Sequence, residues 1–531
     1  MSLAELGDQP GMVETIMRPC PYINDPLQAF EMLCDDNKPS LLLESAEIES
    51  KDELQSLLLV DAALRLECNG HIITCEALSE NGLSVLPLFK QHCPEGVSVE
   101  ENELSVRLTM PEAPTDCDED SRLKAVSVFD GLRTLLHSLT ALRTHPHAVF
   151  LGGAFAYDLL ATCEKLPTVE ASENTCPDYV FYLAETLLIT NHKTQETELL
   201  GSVFSGRNVA QSYFSISQKL ENIDQQLHQL TLSETQVACG AHVSPEVNVD
   251  KSDVTFKRDV LNLKEHILAG DIFQVVPSRT FSLPCPSPRQ SYAQLKLSNP
   301  SPYMFYLQDS DFVIFGASPE SALKYEKHTN QVEIYPIAGT RPRGKRPDGS
   351  INADLDSRIE LDLRNDDKEK AEHIMLVDLA RNDVAKVSEP GSRFVKDLLK
   401  VDRYSHVMHL VSRVVGQLRN DLDALHAYQA CMNMGTLVGA PKISAAALIR
   451  NVERKRRGSY GGAVGYINGQ GDMDTCIVIR SAFVRNQIAY IQAGAGVVYD
   501  SDPQAEADET RSKAQAVISA VQATNHAEGA A

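Results

Sequence analysis

The run from Asp366 to Asp383, DDKEKAEHIMLVDLARND, constrains this chain more than any other stretch. Asp366 with Glu369 three residues on reads as a capping box that opens a helix. Ile374, Met375, Leu376, Val377, Leu379 and Ala380 then put apolar groups on nearly every face, which predicts a buried helix. Glu369 and Glu372, three apart, are neighbours on one side of it. The pattern returns near the C-terminus. Asp502 is placed to cap, Pro503 suits the first helical position, and Glu506, Glu509 and Lys513 follow at i, i+3 and i+7. Ala514, Val517, Ile518 and Val521 give this second helix its apolar stripe. One E-x-x-E helix is ordinarily a solvated face, with its glutamates accounted for by capping. Two of them, one buried, point to carboxylates converging on a hard divalent cation, and Mg2+ prefers such oxygens at about 2.0–2.1 Å.

At 531 residues the chain has room for two or more lobes. Its net charge of −24 argues against nucleic acid or an anionic membrane as a bulk partner. An anionic substrate stays open if the site is locally basic or holds a metal. Twelve cysteines without a C-x-x-C framework, and no signal pattern at the N-terminus, predict a reduced cytoplasmic protein. No apolar run approaches membrane-spanning length. There is no tryptophan, a composition suited to an enzyme needed when that amino acid is scarce.

Along the chain, residues 39–45 read as a short apolar strand ending at Ser45, and 149–157 as a strand with paired glycines. A polar stretch places the principal boundary near 240, dividing an N-terminal lobe, 1–240, from a region 241–523, with a flexible tail at 524–531. A helix is expected over 254–269, followed by a turn and the strand that starts at Gln274. Asn299, Pro302, Tyr303 and Met304 form a proline-braced entry to another strand. Residues 474–484 read as one strand with Cys476, Val478, Arg480 and Ala482 on one face. Arg480 among Ile477, Val478 and Ile479 needs a carboxylate partner, from the protein or from a ligand. Gly494 and Gly496 either relieve crowding or expose backbone N–H groups to an anion.

Taken in order, PIAGTRPRG, LRNDDKEKAEHIMLVDLARND, DRYSHVMHLVSRV, GTLVGAPK, RRGSYGGAVGY, IRSAFV and AGAGVVYDSDPQAEADET closely resemble the chorismate-utilising enzymes. The match is dense over 254–520. The resemblance implies an α+β fold: two lobes with antiparallel sheets packed as a sandwich, helices outside, and an active site in the cleft. It assigns Glu372 and Glu509 as direct Mg2+ ligands, and Glu369 and Glu506 as ligands through water. Tyr460, Arg480 and the backbone of Gly494, Ala495 and Gly496 would hold one chorismate carboxylate, with Gly339, Thr340, Thr436 and Lys513 completing the cradle. Glu320 would be the general acid and His409 a group near the later elimination.

Two positions narrow the branch. Relatives that add water carry a lysine where Gln274 stands, so an amine nucleophile is expected. The folate-pathway branch typically has a lysine where Ala338 stands. The anthranilate-forming branch is therefore favoured, a carbon–oxygen lyase opening L-tryptophan biosynthesis. No G-x-C-x-G-x-Q thiol motif occurs, so a separate glutamine amidotransferase subunit is implied, in a heterotetramer of two large and two small chains. Feedback inhibition by L-tryptophan is expected at Glu44, Ser45, Asn299, Pro302, Tyr303, Met304 and Cys476. A non-catalytic amino-acid sensor is the alternative, opposed by the intact glutamate pairs, Arg480 and Glu320.

Overall fold

Alternating apolar strands with short turns set up antiparallel pairing through most of the chain. The computed structural model describes residues 3–45, 54–114, 117–230, 246–346, 350–404 and 407–525. Two long strands, Gln55–Asn69 and Tyr179–Asn191, pair along most of their length. Register shifts between Leu59 and Leu64 bend the pair, as bulges do. On one side of the bend, Leu57–Leu59 pairs with the strand Ser40–Glu44, and Thr186–Asn191 with Glu196–Phe204. On the other, Leu64–Asn69 pairs with Ile72–Ala77, and Tyr179–Leu183 with Phe150–Phe155. One strand pair thus belongs to two sheets.

The first sheet continues from Ser40–Glu44 through Tyr303–Gln308, Val313–Ser318, Ser481–Arg485 and Ile488–Gly494 to Ser278–Pro284. The second continues from Phe150–Phe155 through Ala463–Asn468, Met473–Ile477, Ser321–Glu326 and Gln331–Ile334 to Val407–Gln417. Between them lies an apolar core that includes Leu41, Phe150, Tyr182, Phe305 and Phe483. The helices Val209–Leu230, Pro288–Ser298 and Pro503–Thr524 cover the outer face of the first sheet. Asp367–Val387, Ala424–Cys431 and Lys442–Glu453 pack on the core outside the second. This is the expected α+β sandwich with helices outside. The strands before and after residue 240 alternate within both sheets. The boundary placed near 240 lies outside the described residues, as do positions 526–531 of the expected tail.

Two neighbouring strands pass from one sheet to the other. Val313–Ser318 belongs to the first sheet, and after Pro319 and Glu320 the chain re-enters pairing in the second as Ser321–Glu326. Met473–Ile477 belongs to the second, and after Arg480 the chain resumes in the first as Ser481–Arg485. The single strand expected over 474–484 is therefore two, broken at a left-handed turn where Arg480 has φ 50°. The shared face does not survive the break. Cys476 and Val478 enter the core between the sheets, and Ala482 enters the core beneath the helices.

The glutamate helices form where expected, with two corrections. Asp366 accepts from the N–H groups of Lys368 and Glu369 and caps Asp367–Val387. Glu369 does not reach back to close a capping box, because Arg341 draws its carboxylate away, Nη1 to Oε1 at 3.0 Å. The helix is also buried on one side only. Leu376, Val377, Ala380 and Val384 pack inward while Ile374 is 44% exposed. The second helix, Pro503–Thr524, is capped by Asp502 through Gln504 N and Ala505 N.

Candidate active site

Glu320 and Arg480 stand at the two sheet crossovers, and the backbone ties those crossovers together. Ile477 N–H donates to the Glu320 carbonyl at 3.0 Å, and Ala317 N–H to the Arg480 carbonyl at 3.1 Å. The Glu320 carboxyl is 7% exposed and accepts from Thr436 Oγ1 at 3.1 Å. Burial pushes its pKa up to about 8, against the Thr436 hydrogen bond and the charge of Lys513. It therefore carries a proton at neutral pH.

The two E-x-x-E segments meet at the strand end Gly494–Gly496. A Cβ on Gly496 would stand 2.9 Å from Gln274 Nε2 and 3.6 Å from Glu372 Oε1, so a side chain here would push the Gln274 amide aside. Gln274 Nε2 donates to Glu372 Oε1 at 3.2 Å. Gln274 Oε1 is buried without a protein partner. Lys513 Nζ bridges Glu509 at 2.6 Å and the Gly494 carbonyl at 3.0 Å. The Lys513 carbonyl in turn accepts from Arg480 Nη1 at 3.0 Å. A Cβ on Gly494 would lie 3.0 Å from the Tyr460 hydroxyl. Ala495 spends its N–H on the Pro277 carbonyl at 3.1 Å, so it lends position rather than a free donor.

On the facing strands, Thr340 Oγ1 and His409 Nδ1 are 2.9 Å apart across a bulge at Gly339. Burial first, and the Arg480 charge second, bring the His409 pKa down to about 4, against a backbone hydrogen bond with Gly339. Its imidazole is neutral at physiological pH. The structure thus brings Gln274, Glu320, Gly339, Thr340, Glu369, Glu372, His409, Thr436, Tyr460, Arg480, Gly494–Gly496, Glu506, Glu509 and Lys513 to one region.

The glutamates do not close into a ready cage. Among the described residues no group of three or more His, Cys, Asp or Glu side chains is set to hold a metal ion. The reason is local: Arg341 holds Glu369 and Lys513 holds Glu509. The donor set nevertheless fits a divalent cation. The pKa of Glu372 is raised by burial and then by Glu369 and Glu509, and that of Glu506 by burial with Glu509 adding to it. Glu506 Oε2 is buried with no partner. Carboxylates pushed toward protonation by one another are relieved by a cation between them.

A second cavity, of about 540 Å3, opens between the sheets. Glu44, Ser45, Pro302, Tyr303, Met304 and Cys476 line it. Asn299 does not figure among the described lining residues; it ends the helix Pro288–Ser298. Glu44 lines this cavity while its carboxylate is held by neighbouring side chains. Paired residues on neighbouring strands share a face, and Glu44 pairs with Met304, which packs beneath the helices. There the carboxylate accepts from Tyr292 OH and Lys296 Nζ, each at 2.5 Å. Pro319 and Ser321, on either side of Glu320, also line this cavity.

A family model described as chorismate binding enzyme matches residues 100–519. The chain belongs to the chorismate-binding enzyme family. It is 58% identical over 510 residues to anthranilate synthase component 1 of Vibrio cholerae, spanning 96% of both chains. To the Escherichia coli protein of that name it is 55% identical over 507 residues, again 96% of each. Among solved structures it resembles anthranilate synthase component I from Streptococcus pneumoniae, with TM-score 0.65 and 27% identity, covering 93% of this chain and 97% of that one. The menaquinone-specific isochorismate synthase from Escherichia coli shares the fold, with TM-score 0.65, 18% identity and 98% of each chain covered.

Within this chorismate-binding fold, two supporting residues escaped the sequence reading. Arg341 sits in PIAGTRPRG, and its spacing gave no hint that it would take the carboxylate of Glu369. Arg279, 1% exposed, donates to Thr510 Oγ1 at 2.8 Å and to the Ala507 carbonyl at 2.7 Å, fixing the first turns of the second glutamate helix. An arginine in an apolar strand was the available signal, the one already noticed at Arg480.

Proposed function

We propose that this chain is the aminating component of an anthranilate synthase, converting chorismate and ammonia to anthranilate as an opening step of tryptophan biosynthesis. The observation that carries this reading is 55–58% identity, over 96% of each chain, to proteins of that name. The site supplies matching chemistry. Glu372 and Glu509 would ligate Mg2+ directly, with Glu369 and Glu506 acting through water. Bound there, the cation would neutralise the glutamates and fix the ring carboxylate of chorismate. Tyr460, Arg480 and the Gly494–Gly496 strand hold the enolpyruvyl carboxylate, with Gly339, Thr340, Thr436 and Lys513 around the rest of the ligand.

Gln274 presents its unpartnered carbonyl oxygen as an acceptor for an N–H of ammonia, its own amide being turned by Glu372. Ammonia attacks ring C2, and the C4 hydroxyl leaves as water with the Glu320 proton. Loss of pyruvate then restores aromaticity, with neutral His409 beside the ring. Wild-type protein with chorismate, Mg2+ and ammonium is expected to give anthranilate as the main product by chromatography. A dominant 4-amino-4-deoxychorismate or isochorismate peak overturns this assignment.

A separate glutamine amidotransferase supplies the ammonia in this proposal, in an assembly of two large and two small chains, in the cytoplasm. The sequence lacks the glutamine-hydrolysing thiol motif, and the named relatives are numbered components. No helix of the described residues is long and apolar enough to cross a membrane.

L-tryptophan is proposed to inhibit from the cavity between the sheets. Ser45→Phe places an aromatic ring in that space. It is expected to raise the tryptophan needed for half-inhibition by at least about tenfold, within the span of ordinary allosteric couplings. The rate with ammonium should stay within a factor of two or so. An unchanged inhibition curve places the effector elsewhere.

A further inference from the structure

Beneath the substrate cradle, Glu453 and Arg457 form an ion pair that neither solvent nor ligand reaches, the two being 7% and 2% exposed. Arg457 Nε and Nη2 donate to Glu453 Oε2 and Oε1 at 2.9 and 2.6 Å. The remaining contacts go to segments that carry the active site. Nη1 donates to the Leu437 carbonyl at 2.8 Å, one residue past Thr436. Nη2 also donates to the Val276 carbonyl at 2.6 Å, two residues past Gln274. Glu453 Oε1 accepts from Ser278 N at 2.8 Å and Ser278 Oγ at 2.7 Å. The guanidinium lies 4.5 Å from the Tyr157 ring and 5.6 Å from the ring of Tyr460.

Burying such a pair is a poor way to gain stability, since well-packed apolar residues of similar volume do as well or better. What apolar residues cannot do is hold the Leu437 and Val276 carbonyls and the Ser278 N–H by directed hydrogen bonds. We infer that Arg457, registered by Glu453, is a positioning residue that sets Gln274, Thr436 and Tyr460 in their working relation. It touches no substrate and acts only through those neighbours. The helix ends at Glu453 and Arg454 turns left-handed, φ 61°, which brings Arg457 back over the helix end. This inference rests on the proposed amination of chorismate.

The test uses the whole chain with chorismate, Mg2+ and ammonium, and two variants. Arg457→Lys keeps the charge and loses the planar fork. Displacements of about 1 Å in a site cost about 10²-fold. Its kcat/KM is therefore expected to fall by roughly that factor, through a raised KM for chorismate and a lowered kcat together. The paired change Glu453→Leu with Arg457→Met removes both charges together but leaves the Leu437 and Val276 carbonyls and the Ser278 N–H unpartnered. It is expected to fold with a lowered melting temperature and to be as impaired. Either variant retaining half the wild-type kcat/KM overturns the inference. Should the paired variant not fold, Arg457→Lys decides alone. A wild type that makes no anthranilate strikes the functional proposal instead. The positioning role is then read from chorismate affinity by calorimetry, with a Kd unchanged in Arg457→Lys counting against it.

Discussion

Glu372→Gln is expected to lower anthranilate formation from ammonium by at least about 10²-fold, because changes merely behind a metal ligand already cost 10–100-fold. The substitution preserves shape and removes one charge from a crowded set. Burial and the neighbouring Glu369 and Glu509 raise the Glu372 pKa, so its ionised form is disfavoured in the metal-free protein. The neutral amide should therefore raise the metal-free melting temperature, while the further rise on adding Mg2+ shrinks or disappears. Steady-state rates across a Mg2+ titration, paired with thermal melts, read both effects. A near-normal rate at limiting Mg2+, or an undiminished Mg2+-induced shift, removes Glu372 from the cation site.

Glu320 governs the second large effect, and it is one of pH. The acid must carry its proton to protonate the departing hydroxyl, and burial holds its pKa at about 8. Above that value the protonated fraction falls tenfold per pH unit, so kcat/KM for chorismate at constant free ammonia should be level below it and decline on the alkaline side. Glu320→Gln cannot donate and is expected to lose about 10²–10⁴-fold, the usual share of general acid catalysis. Its residual rate should lack the alkaline decline. Persistence of that limb in the glutamine variant would falsify the assignment of the acid.

The order of motifs made the sandwich legible, and capping chemistry set both glutamate helices, since Asp366 and Asp502 cap as expected. Strand periodicity failed at 478–480. A period of two assumes that a strand stays in one sheet, and this one leaves. The ties that hold the Glu44 carboxylate, to Tyr292 and Lys296 of a helix 248 and 252 residues on, likewise had no local signal. Carboxylate pairs were easy to see as candidates. Lys513 was visible beside its glutamate on one helix, but Arg341 was not, because nothing in local spacing links it to Glu369 across 28 residues.

The crossover at Pro319–Glu320–Ser321 has a consequence for how this protein can vary. Its middle residue addresses one chamber while the flanking two wall the other. Side chains that repack Pro319 or Ser321 also shift the acid, because Ile477 N–H holds the Glu320 carbonyl and Ile477 follows Cys476, itself on the same wall. With L-tryptophan inhibiting from this cavity as proposed, deafness to it and loss of turnover should arise together on that side. Variants that escape inhibition at no catalytic cost should cluster on the opposite wall, around Leu43 and Ser45. A selection for resistance that preserves growth without tryptophan would draw that border residue by residue.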